Sequence, residues 1–225
     1  MHIVVSNARL HIVSRALRAL LRPVGRADLV RIGSEYGGWW IPKDLAAPGT
    51  VAYCAGAGED ITFDLALVER GCQVTTFDPT PRAIAHVEAN APSGNDFRFV
   101  PVGWWNEDTI LRFYAPRIPE HVSHSAVNLQ GTTDFFTAPV KPVRQLMTEL
   151  GDERVDIIKM DIEGAEYVVL GQLARGGPLP RALCVEFDQP QPLRRTMSAV
   201  ETLRRTGYEL AHIEFFDYTF VRDSP

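Results

Sequence analysis

From residue 50 onward, short apolar runs alternate with stretches of helical periodicity. Residues 50–56 form the first apolar run, helical spacing follows in residues 61–71, and a second apolar run ends at Asp78. The alternation continues to two late runs, residues 155–161 and 182–188, and ends in a hairpin-like segment at residues 208–222. Strands that alternate with helices at this spacing are typical of βαβ units. The pattern predicts an α/β fold with a mostly parallel sheet and an antiparallel hairpin at its edge.

The chain has 225 residues, a length that suits one α/β domain with a sizeable core. We expect residues 46–225 to carry the sheet, and residues 1–45 to add an N-terminal helix and a flap segment to the same globular domain. Residues 117–139 contain Pro, Ser, His, Asn and Gly with little periodicity, which predicts a long connecting loop. Long loops of this kind are commonly functional.

The N-terminal segment is amphipathic and basic. Leu10, Val13, Leu17, Leu20 and Leu21 recur at helical spacing, and residues 1–31 hold six arginines against one acid. Such a helix caps its own domain, builds a dimer contact or lies on an acidic membrane surface. In the flap segment, a Gly-Gly turn precedes two tryptophans at residues 39–40, which fits either core packing or a flap over a ligand.

Charge and cysteine content narrow the range of partners. The net charge is −5, and the basic residues are concentrated in the first segment, so the rest of the chain is more acidic still. An acidic body argues against nucleic acid as the main partner. The three cysteines lie in apolar runs without metal-ligand spacing, which is typical of reduced, cytoplasmic proteins. No apolar run approaches the roughly 18 residues that a membrane span requires.

A glycine-containing loop follows the first core strand and predicts a nucleotide-type cradle. Gly56 and Gly58 let the backbone approach a ligand, and the next helix offers unpaired N–H groups. Asp78 ends the next strand, where a carboxylate binds ribose hydroxyls. A dinucleotide fingerprint requires a third glycine where this chain has Ile61. The absence of this glycine argues against NAD as the ligand.

Two acids, Glu59 and Asp60, occupy the loop position where a pyrophosphate would be repelled. Acids at this place suit a cationic ligand that carries an amino group and a sulfonium. The loop therefore favours S-adenosylmethionine over a nicotinamide cofactor. An NAD(P)-dependent oxidoreductase remains the alternative from another enzyme class, and a non-catalytic Rossmann-like binding module is a third.

Acids also mark the ends of the two late strands. Asp161 ends the run VDIIKMD, and Glu163 is expected to open the following helix. Glu186 and Asp188 end the next strand, and carboxyl ends of neighbouring parallel strands meet at one edge of a sheet. Helix capping would explain Asp161 or Glu163 without any function. Three acids within six residues, Asp161 to Glu166, are more than capping requires.

Three segments together resemble the FkbM family of S-adenosylmethionine-dependent methyltransferases: VAYCAGAGEDITFD (51–64), VTTFDPTPRAI (74–84) and VDIIKMDIEGAE (155–166). The resemblance covers roughly residues 36–221. It implies a class I (Rossmann-like) methyltransferase with a mostly parallel seven-stranded sheet, a C-terminal antiparallel hairpin and helices on both faces. It also implies O-methylation, often of sugars or glycosylated natural products. Many relatives carry an acid at the end of the first strand, where this chain has none.

The resemblance assigns the donor site residue by residue. Gly56, Gly58 and Glu59 would hold the methionine part of S-adenosylmethionine, and Asp78 would bind its ribose. Val102 and Gly103, at the end of the third strand, would lie beside the adenine. Residues 159–161 would border the transferable methyl group.

The acceptor hydroxyl must lose a proton, and two kinds of site would take it. The candidate bases are Asp161, Glu163 and His124, which lies in the long loop between two serines. Alternatively, Asp161, Glu186 and Asp188 would share Mg²⁺, a cation that prefers oxygen ligands. We therefore expect a homodimeric O-methyltransferase that acts on a saccharide or another hydroxylated small molecule; a non-sugar natural product is the alternative acceptor.

Overall fold

The computed structural model describes residues 7–118, 123–187 and 193–223, and a seven-stranded sheet lies at its centre. In chain order the strands are β1 (Leu29–Ile32), β2 (Trp39–Pro42), β3 (Val51–Ala55), β4 (Gln73–Phe77), β5 (Phe97–Val100), β6 (Gly103–Trp104), β7 (Thr109–Tyr114), β8 (Phe135–Lys141), β9 (Ile157–Met160), β10 (Ala182–Glu186), β11 (Glu209–Glu214) and β12 (Asp217–Val221). The helices are α1 (Asn7–Leu21), α2 (Thr62–Val68), α3 (Pro81–Asn90), α4 (Val143–Leu150), α5 (Glu166–Leu173) and α6 (Leu193–Arg205).

The strand order of the central sheet is β5-β4-β3-β9-β10-β12-β11. The first five of these strands are parallel to one another. The terminal hairpin adds β12 antiparallel to β10, and β11 forms the edge beyond it. This topology confirms the predicted mostly parallel sheet with an antiparallel hairpin. It also places the chain order reversal between β3 and β9, where open α/β sheets bind their ligands.

Alternate residues of the central strands enter two separate cores. Tyr53 and Ala55 face the cluster covered by α1, α4, α5 and α6, whereas Ala52 and Cys54 face α2 and the β1–β2 hairpin. All five residues of β3 are buried. A parallel strand covered on both faces needs apolar residues at every position, because neither side meets water. That is why these strands are continuous apolar runs in the sequence.

A second sheet, of order β6-β8-β7, corrects the prediction of a structureless loop at residues 117–139. Residues 135–141 form β8, which pairs along the whole of β7. The sequence did not predict this strand, because Pro139 lies inside it and proline lacks the N–H that a residue in a strand interior donates. β6 pairs only with Val140 and Lys141, so Pro139 lies where β8 has a neighbour on one side. A missing N–H is tolerated there.

Helix α1 packs on its own domain. Leu17 and Leu21 belong to the main core cluster, and the side chains of Ser14 and Arg18 donate hydrogen bonds to backbone carbonyls of the β11–β12 hairpin, at 2.8 Å each. This arrangement matches the first of the three roles considered for the helix. The dimer and membrane-surface roles stay predictions. Across the described residues, no helix is long and apolar enough to cross a membrane.

The packing of α1 predicts unequal effects for two leucines on the same helix. Leu17 is fully buried, whereas the side chain of Leu20 is 58% exposed. Leu17→Ala should lower the free energy of unfolding by about 2–5 kcal/mol, because it removes buried methyl groups and leaves a cavity. Leu20→Ala, the matched control, should change it by less than about 0.5 kcal/mol. Denaturant titration measures both, and equal losses would contradict the packing of α1 described above.

Candidate functional site

A cavity of about 300 Å³ opens at the carboxyl ends of the parallel strands. Its walls come from the loops after β3, β4 and β9, from the last residue of β10, from the turn before β2 and from the loop between β7 and β8. It therefore lies at the topological switch point identified above, where chemistry is expected in an open α/β sheet. The donor-site glycines and all the described candidate acids, Glu59, Asp78, Asp161, Glu163 and Glu186, line this one cavity.

Gly56 lies directly against the backbone of Asp161. It has a φ of +87°, and a Cβ atom at this position would stand only 1.7 Å from the Asp161 carbonyl oxygen. No side chain fits in that space, so glycine is required both for the conformation and for the contact. The amide of Asp161 in turn donates to the carbonyl of Ala55 at 3.1 Å. The glycine loop and the acidic strand end thus form one continuous floor of the cavity.

Asp78 holds the glycine loop in shape. Its buried carboxylate accepts hydrogen bonds from the amides of Ala57 and Gly58, at 2.9 and 3.1 Å, and from the amide of Thr80 at 2.8 Å. An ionised carboxylate has about four lone-pair sites, so three amides leave capacity for a further donor. The predicted contact with a ribose hydroxyl stays a prediction, but the residue is built into the cradle as expected.

The two loop acids have partners of their own. Glu59 forms a two-oxygen ion pair with Arg82 at the start of α3, with distances of 2.8 and 2.9 Å. Asp60 accepts from the hydroxyl of Ser34 and from the amide of Thr62, both at 2.8 Å, and so fixes the start of α2. A contact between Glu59 and the methionine part of the donor stays a prediction, because the ion pair with Arg82 competes for the carboxylate.

Trp39 and its neighbours settle part of the flap question. Trp39 is buried and packs in the second core with Ile41, so core packing is correct for it, although its ring also borders the cavity. Trp40 turns the other way, and the centroid of its ring lies 4.8 Å from that of the His212 ring, with the two rings tilted by 38°. Tyr36, at the same turn, lines the cavity with its side chain 91% exposed. The turn before β2 therefore forms part of the cavity rim.

The end of the third parallel strand is also divided. Gly103 lines the cavity together with Trp104, whose ring packs against Phe77 at 5.3 Å. Val102 instead packs its side chain against the main core cluster. Of the two residues predicted to lie beside the adenine, Gly103 borders the cavity and Val102 supports it from behind.

Lys159 is the buried cation of the site. Its ammonium donates to the carbonyl of Gly56 and lies 3.8 Å from the Asp161 carboxylate. Burial pulls the pKa of Lys159 down, but the negative charges of Asp161 and Asp64 push it up further, and the net result is a raised pKa. The lysine therefore stays charged at the junction of β3 and β9.

Acids outnumber this cation at the neighbouring strand ends. Glu186 ends β10 and hydrogen-bonds with Asp161, and burial followed by the charge of Asp161 raises the pKa of Glu186 far above its ordinary value. Asp217 stands opposite Glu186 in the β10–β12 pairing. Burial, then the charge of Asp161, raises the pKa of Asp217 to about 7. At neutral pH the cluster therefore holds at least one proton, on Glu186.

Asp217 is a cavity residue that sequence reasoning missed. The predicted acids follow the carboxyl ends of parallel strands. β12 runs antiparallel to β10, so its first residue, Asp217, lies at the edge of the sheet where β10 ends. The available signal was the predicted hairpin, because its turn must lie at the end of the sheet where β10 finishes. On the preceding strand, β11, the ring of His212 packs against the ring of Trp40 in β2. Glu214 accepts a hydrogen bond from the Trp40 indole N–H.

Glu163 does not open a helix, which corrects the sequence-based prediction. Its φ is +54°, in the left-handed region, and α5 begins only at Glu166. The acid in the first turn of α5 is Glu166, whose buried carboxyl group accepts from the amide of Ile162 at 2.8 Å. Helix-dipole compensation therefore does not account for Glu163. Its half-buried side chain lines the cavity instead.

The environment of Glu163 shifts its titration into the neutral range. Burial, followed by the negative charge of Asp161, raises the pKa of Glu163 to about 7, and a hydrogen bond from Ser123 opposes the shift. His124, the next residue along the same loop, also lines the cavity. Its ring packs edge-on against Phe136, with 5.3 Å between the ring centroids. The three candidate bases, Asp161, Glu163 and His124, are thus brought together.

Two of the three predicted metal ligands lie among the described residues. Asp161 and Glu186 meet at the cavity, but Asp188 lies outside the described residues. In the parts of the chain that the structure describes, no group of three or more His, Cys, Asp or Glu side chains could hold a metal ion. The Mg²⁺ site stays a prediction.

A sequence model of the methyltransferase FkbM domain matches residues 51–210. The chain belongs to the FkbM methyltransferase family. The matched range spans the cradle, the sheet of β6, β7 and β8 (the side sheet) and the strand ends at Asp161 and Glu186, so most residues that line the cavity fall within the S-adenosylmethionine-dependent methyltransferase domain. This result disfavours the oxidoreductase and the non-catalytic module. A search of curated protein sequences found no significant match.

Several solved structures are similar to this chain at low sequence identity. One is a fibrillarin pre-rRNA processing protein from Methanococcus jannaschii, with a TM-score of 0.47 and 11% identity over 80% of this chain and 70% of that chain. Another is a precorrin-6y C5,15-methyltransferase from Geobacter metallireducens, with a TM-score of 0.45 and 12% identity over 88% and 97%. A TehB-like methyltransferase from Corynebacterium glutamicum gives 0.41 and 16% over 80% and 84%.

The close approach at Gly56 can be separated from simple backbone strain by a matched pair of variants. Gly49 has nearly the same φ, +86° against +87°, but nothing lies within 4 Å of a Cβ there. Gly49→Ala should cost about 1–2 kcal/mol of stability, the usual price of a left-handed alanine. Gly56→Ala should cost more and abolish binding of S-adenosylhomocysteine in calorimetry. Full-affinity binding by Gly56→Ala would contradict the described contact with Asp161.

Proposed function

We propose that the protein transfers a methyl group from S-adenosylmethionine to a hydroxyl of a sugar or glycosylated metabolite. The observation that carries this proposal is Glu163, a half-buried carboxyl in the cavity whose pKa is raised to about 7. A hydroxyl acceptor needs a group that takes its proton, and a general base works best when its pKa lies near the working pH. An amine acceptor already carries a free lone pair when neutral and has less need of such a base.

The residues present fit the donor. Gly56 leaves no room for a side chain, Gly58 has a φ of +50°, and Asp78 closes the cradle with spare acceptor capacity. Glu59 and Gly103, with Val102 behind, would complete the methionine and adenine sides. The sulfonium of the bound donor supplies a methyl group that needs no further activation. The chain must therefore align the acceptor oxygen behind that methyl and remove its proton.

Proton removal falls to Glu163 in this proposal. Above pH 7 its carboxylate is ionised and accepts the hydroxyl proton as the oxygen attacks. Glu186 cannot compete for that proton at neutral pH, because its raised pKa keeps it protonated. Asp161 borders the same space beside Lys159 and contributes negative charge close to the cationic donor. Alignment in such a site supplies up to about 7–11 kcal/mol in well-oriented cases.

A polyhydroxylated acceptor suits the outer wall of the cavity. Ser123 and His124 present polar groups there, and the exposed ring of Tyr36 offers a flat face on the opposite rim. Flat aromatic rings stack on sugar faces, and hydroxyl and imidazole groups bond sugar hydroxyls. A non-sugar natural product with a hydroxyl group is the second candidate acceptor, since the same wall would accept it.

We propose further that the enzyme is a cytoplasmic homodimer and does not act on nucleic acid. The acidic composition outside the first segment supports the last point, and the reduced, buried state of all three cysteines supports the first. The N-terminal helix α1 is the surface through which we expect two copies to meet.

Transfer to a hydroxyl predicts an alkali-stable product. Incubation with methyl-labelled S-adenosylmethionine and a panel of saccharides should yield a labelled methyl ether, detected by mass spectrometry after alkaline treatment. Label found only on amines or in alkali-labile esters would overturn the proposal. The same assay in EDTA tests the metal alternative: with Glu163 as base we expect full activity, whereas loss reversed by Mg²⁺ would assign the proton step to a cation at Asp161, Glu186 and Asp188.

The role of Glu163 predicts a specific loss and a changed pH profile. Glu163→Gln should lower kcat by about 10²–10⁴-fold, because the amide cannot accept the proton. For the unaltered enzyme, activity should be low while Glu163 is protonated, rise with pH through about 7 and then level off. The variant should lose that rise. Glu153→Gln, an exposed site before β9, is the matched control and should leave both properties unchanged. Full activity of Glu163→Gln would move the base to Asp161 or His124.

A further inference from the structure

The candidate base sits on an unusual piece of backbone. Glu163 and Gly164 are consecutive left-handed residues, with φ values of +54° and +94°. A residue with a side chain rarely adopts this conformation and keeps it only where its surroundings fix it. In this turn the direction of the Glu163 side chain depends on the backbone, so whatever fixes the turn also aims the carboxylate into the cavity.

One loop, between β7 and β8, contacts both residues of this turn. The hydroxyl of Ser125 donates to the carbonyl oxygen of Glu163 at 2.7 Å. The side chains of Val127 and Leu129 pack on Gly164 so closely that a Cβ there would come within 2.8 and 2.7 Å of them. The loop thus holds the turn by one hydrogen bond and by a close apolar contact.

Ser125 is itself firmly placed. It is buried, and its backbone forms a two-bond bridge with Tyr114 at the end of β7, at 3.0 and 3.1 Å. Its hydroxyl oxygen also accepts from the amide of Val127 at 3.2 Å. A serine hydroxyl has a single hydrogen to donate, and here that hydrogen goes to Glu163. The side sheet is therefore linked to the turn at Glu163 through this oxygen, together with the apolar contact on Gly164 and the hydrogen bond from Ser123 to the Glu163 side chain.

The other side of the turn is held from within. The carboxylate of Glu166 accepts from the amide of Ile162, which fixes the residue before Glu163 to the start of α5. Ser125 supplies the complementary hold on the residue's carbonyl. Without the serine hydroxyl, the Glu163 carbonyl loses its partner, and the peptide is free to rotate toward the more stable right-handed region. Such a rotation would swing the carboxylate away from its place in the cavity.

We propose that Ser125 is a positioning residue that fixes the left-handed turn at Glu163 and so aims the catalytic carboxylate. The proposal rests on Glu163 being the base, as proposed above. Ser123 and His124, the two residues before Ser125, line the cavity on the acceptor side. The segment that contacts the acceptor and the group that holds the base are thus parts of one strand-like stretch. The side sheet couples acceptor recognition to base alignment.

Ser125→Ala tests the proposal through a split between kcat and KM. We expect kcat to fall by roughly ten- to a hundredfold, because misplacing a reacting group by about 1 Å costs up to a hundredfold. KM for S-adenosylmethionine and for the acceptor, and the affinity for S-adenosylhomocysteine, should stay unchanged. Ser125→Thr keeps the donor hydroxyl and should restore most of kcat. A Ser125→Ala enzyme with unaltered kcat would overturn the proposal, as would failure of Ser125→Thr to exceed Ser125→Ala.

Thr132→Val is the matched control within the same loop. The hydroxyl of Thr132 donates to the carbonyl of Ala115 at 2.6 Å, a bond of the same kind that does not reach Glu163. We expect this variant to keep kcat, and an equal loss in both variants would assign the effect to loop stability and overturn the proposal. If Ser125→Ala does not fold, Ser125→Cys retains the volume with a weak donor and should show the same fall in kcat.

The outcomes separate this proposal from the one on which it rests. Full activity in Glu163→Gln removes the base assignment, and the positioning role falls with it. Loss of activity in Glu163→Gln together with normal kcat in Ser125→Ala leaves the base in place and overturns only the role of Ser125. Loss in both, with unchanged KM values and rescue by Ser125→Thr, supports both.

Discussion

The buried ammonium of Lys159 is the interaction around which the site is arranged. It bonds the carbonyl of Gly56 and lies beside Asp161, so it joins the ends of β3 and β9 where the order of the sheet reverses. A buried cation is costly unless paired, and the surrounding carboxylates more than offset that cost, as its raised pKa shows. At the same junction the carbonyl of Asp161 demands glycine at residue 56, because the strand ends approach too closely for any side chain.

One cation cannot balance all the acids that converge on it. Asp161, Glu163, Glu186 and Asp217 reach the cavity from different elements, and burial raises the pKa of the last three. The shifts are unequal, so near pH 7 Glu186 keeps its proton while Glu163 titrates. Groups with pKa values pushed apart by their surroundings take different roles in acid–base chemistry. This inequality separates Glu163 and Asp217, whose pKa values lie near 7, from Glu186, and in our proposal Glu163 is the base.

The architecture divides the work between two sheets. In our proposal the central sheet builds the donor side, since the loop after β3 and the end of β4 form the glycine cradle and its carboxylate. The side sheet of β6, β7 and β8 builds the acceptor side in the same proposal, and its loop touches the turn that carries Glu163. Methyl transfer requires the acceptor oxygen, the methyl carbon and the donor sulfur in line, with the base within reach of the hydroxyl proton. The contact between the two sheets at Ser125 is where that alignment is set in our proposal.

The sequence by itself determined the central sheet, the cradle at Gly56 and Gly58, and the acids Asp78 and Asp161. Those features depend on local pattern: parallel strands are continuous apolar runs because both faces are covered, and ligand-binding residues follow strand ends. Only the tertiary structure decided the rest. Pro139 hid β8, which is fixed by pairing with a distant strand, and Asp217 reaches the cavity only because β12 runs antiparallel. The left-handed turn at Glu163 depends on Ser125, nearly forty residues earlier in the chain, and no local pattern carries such a contact.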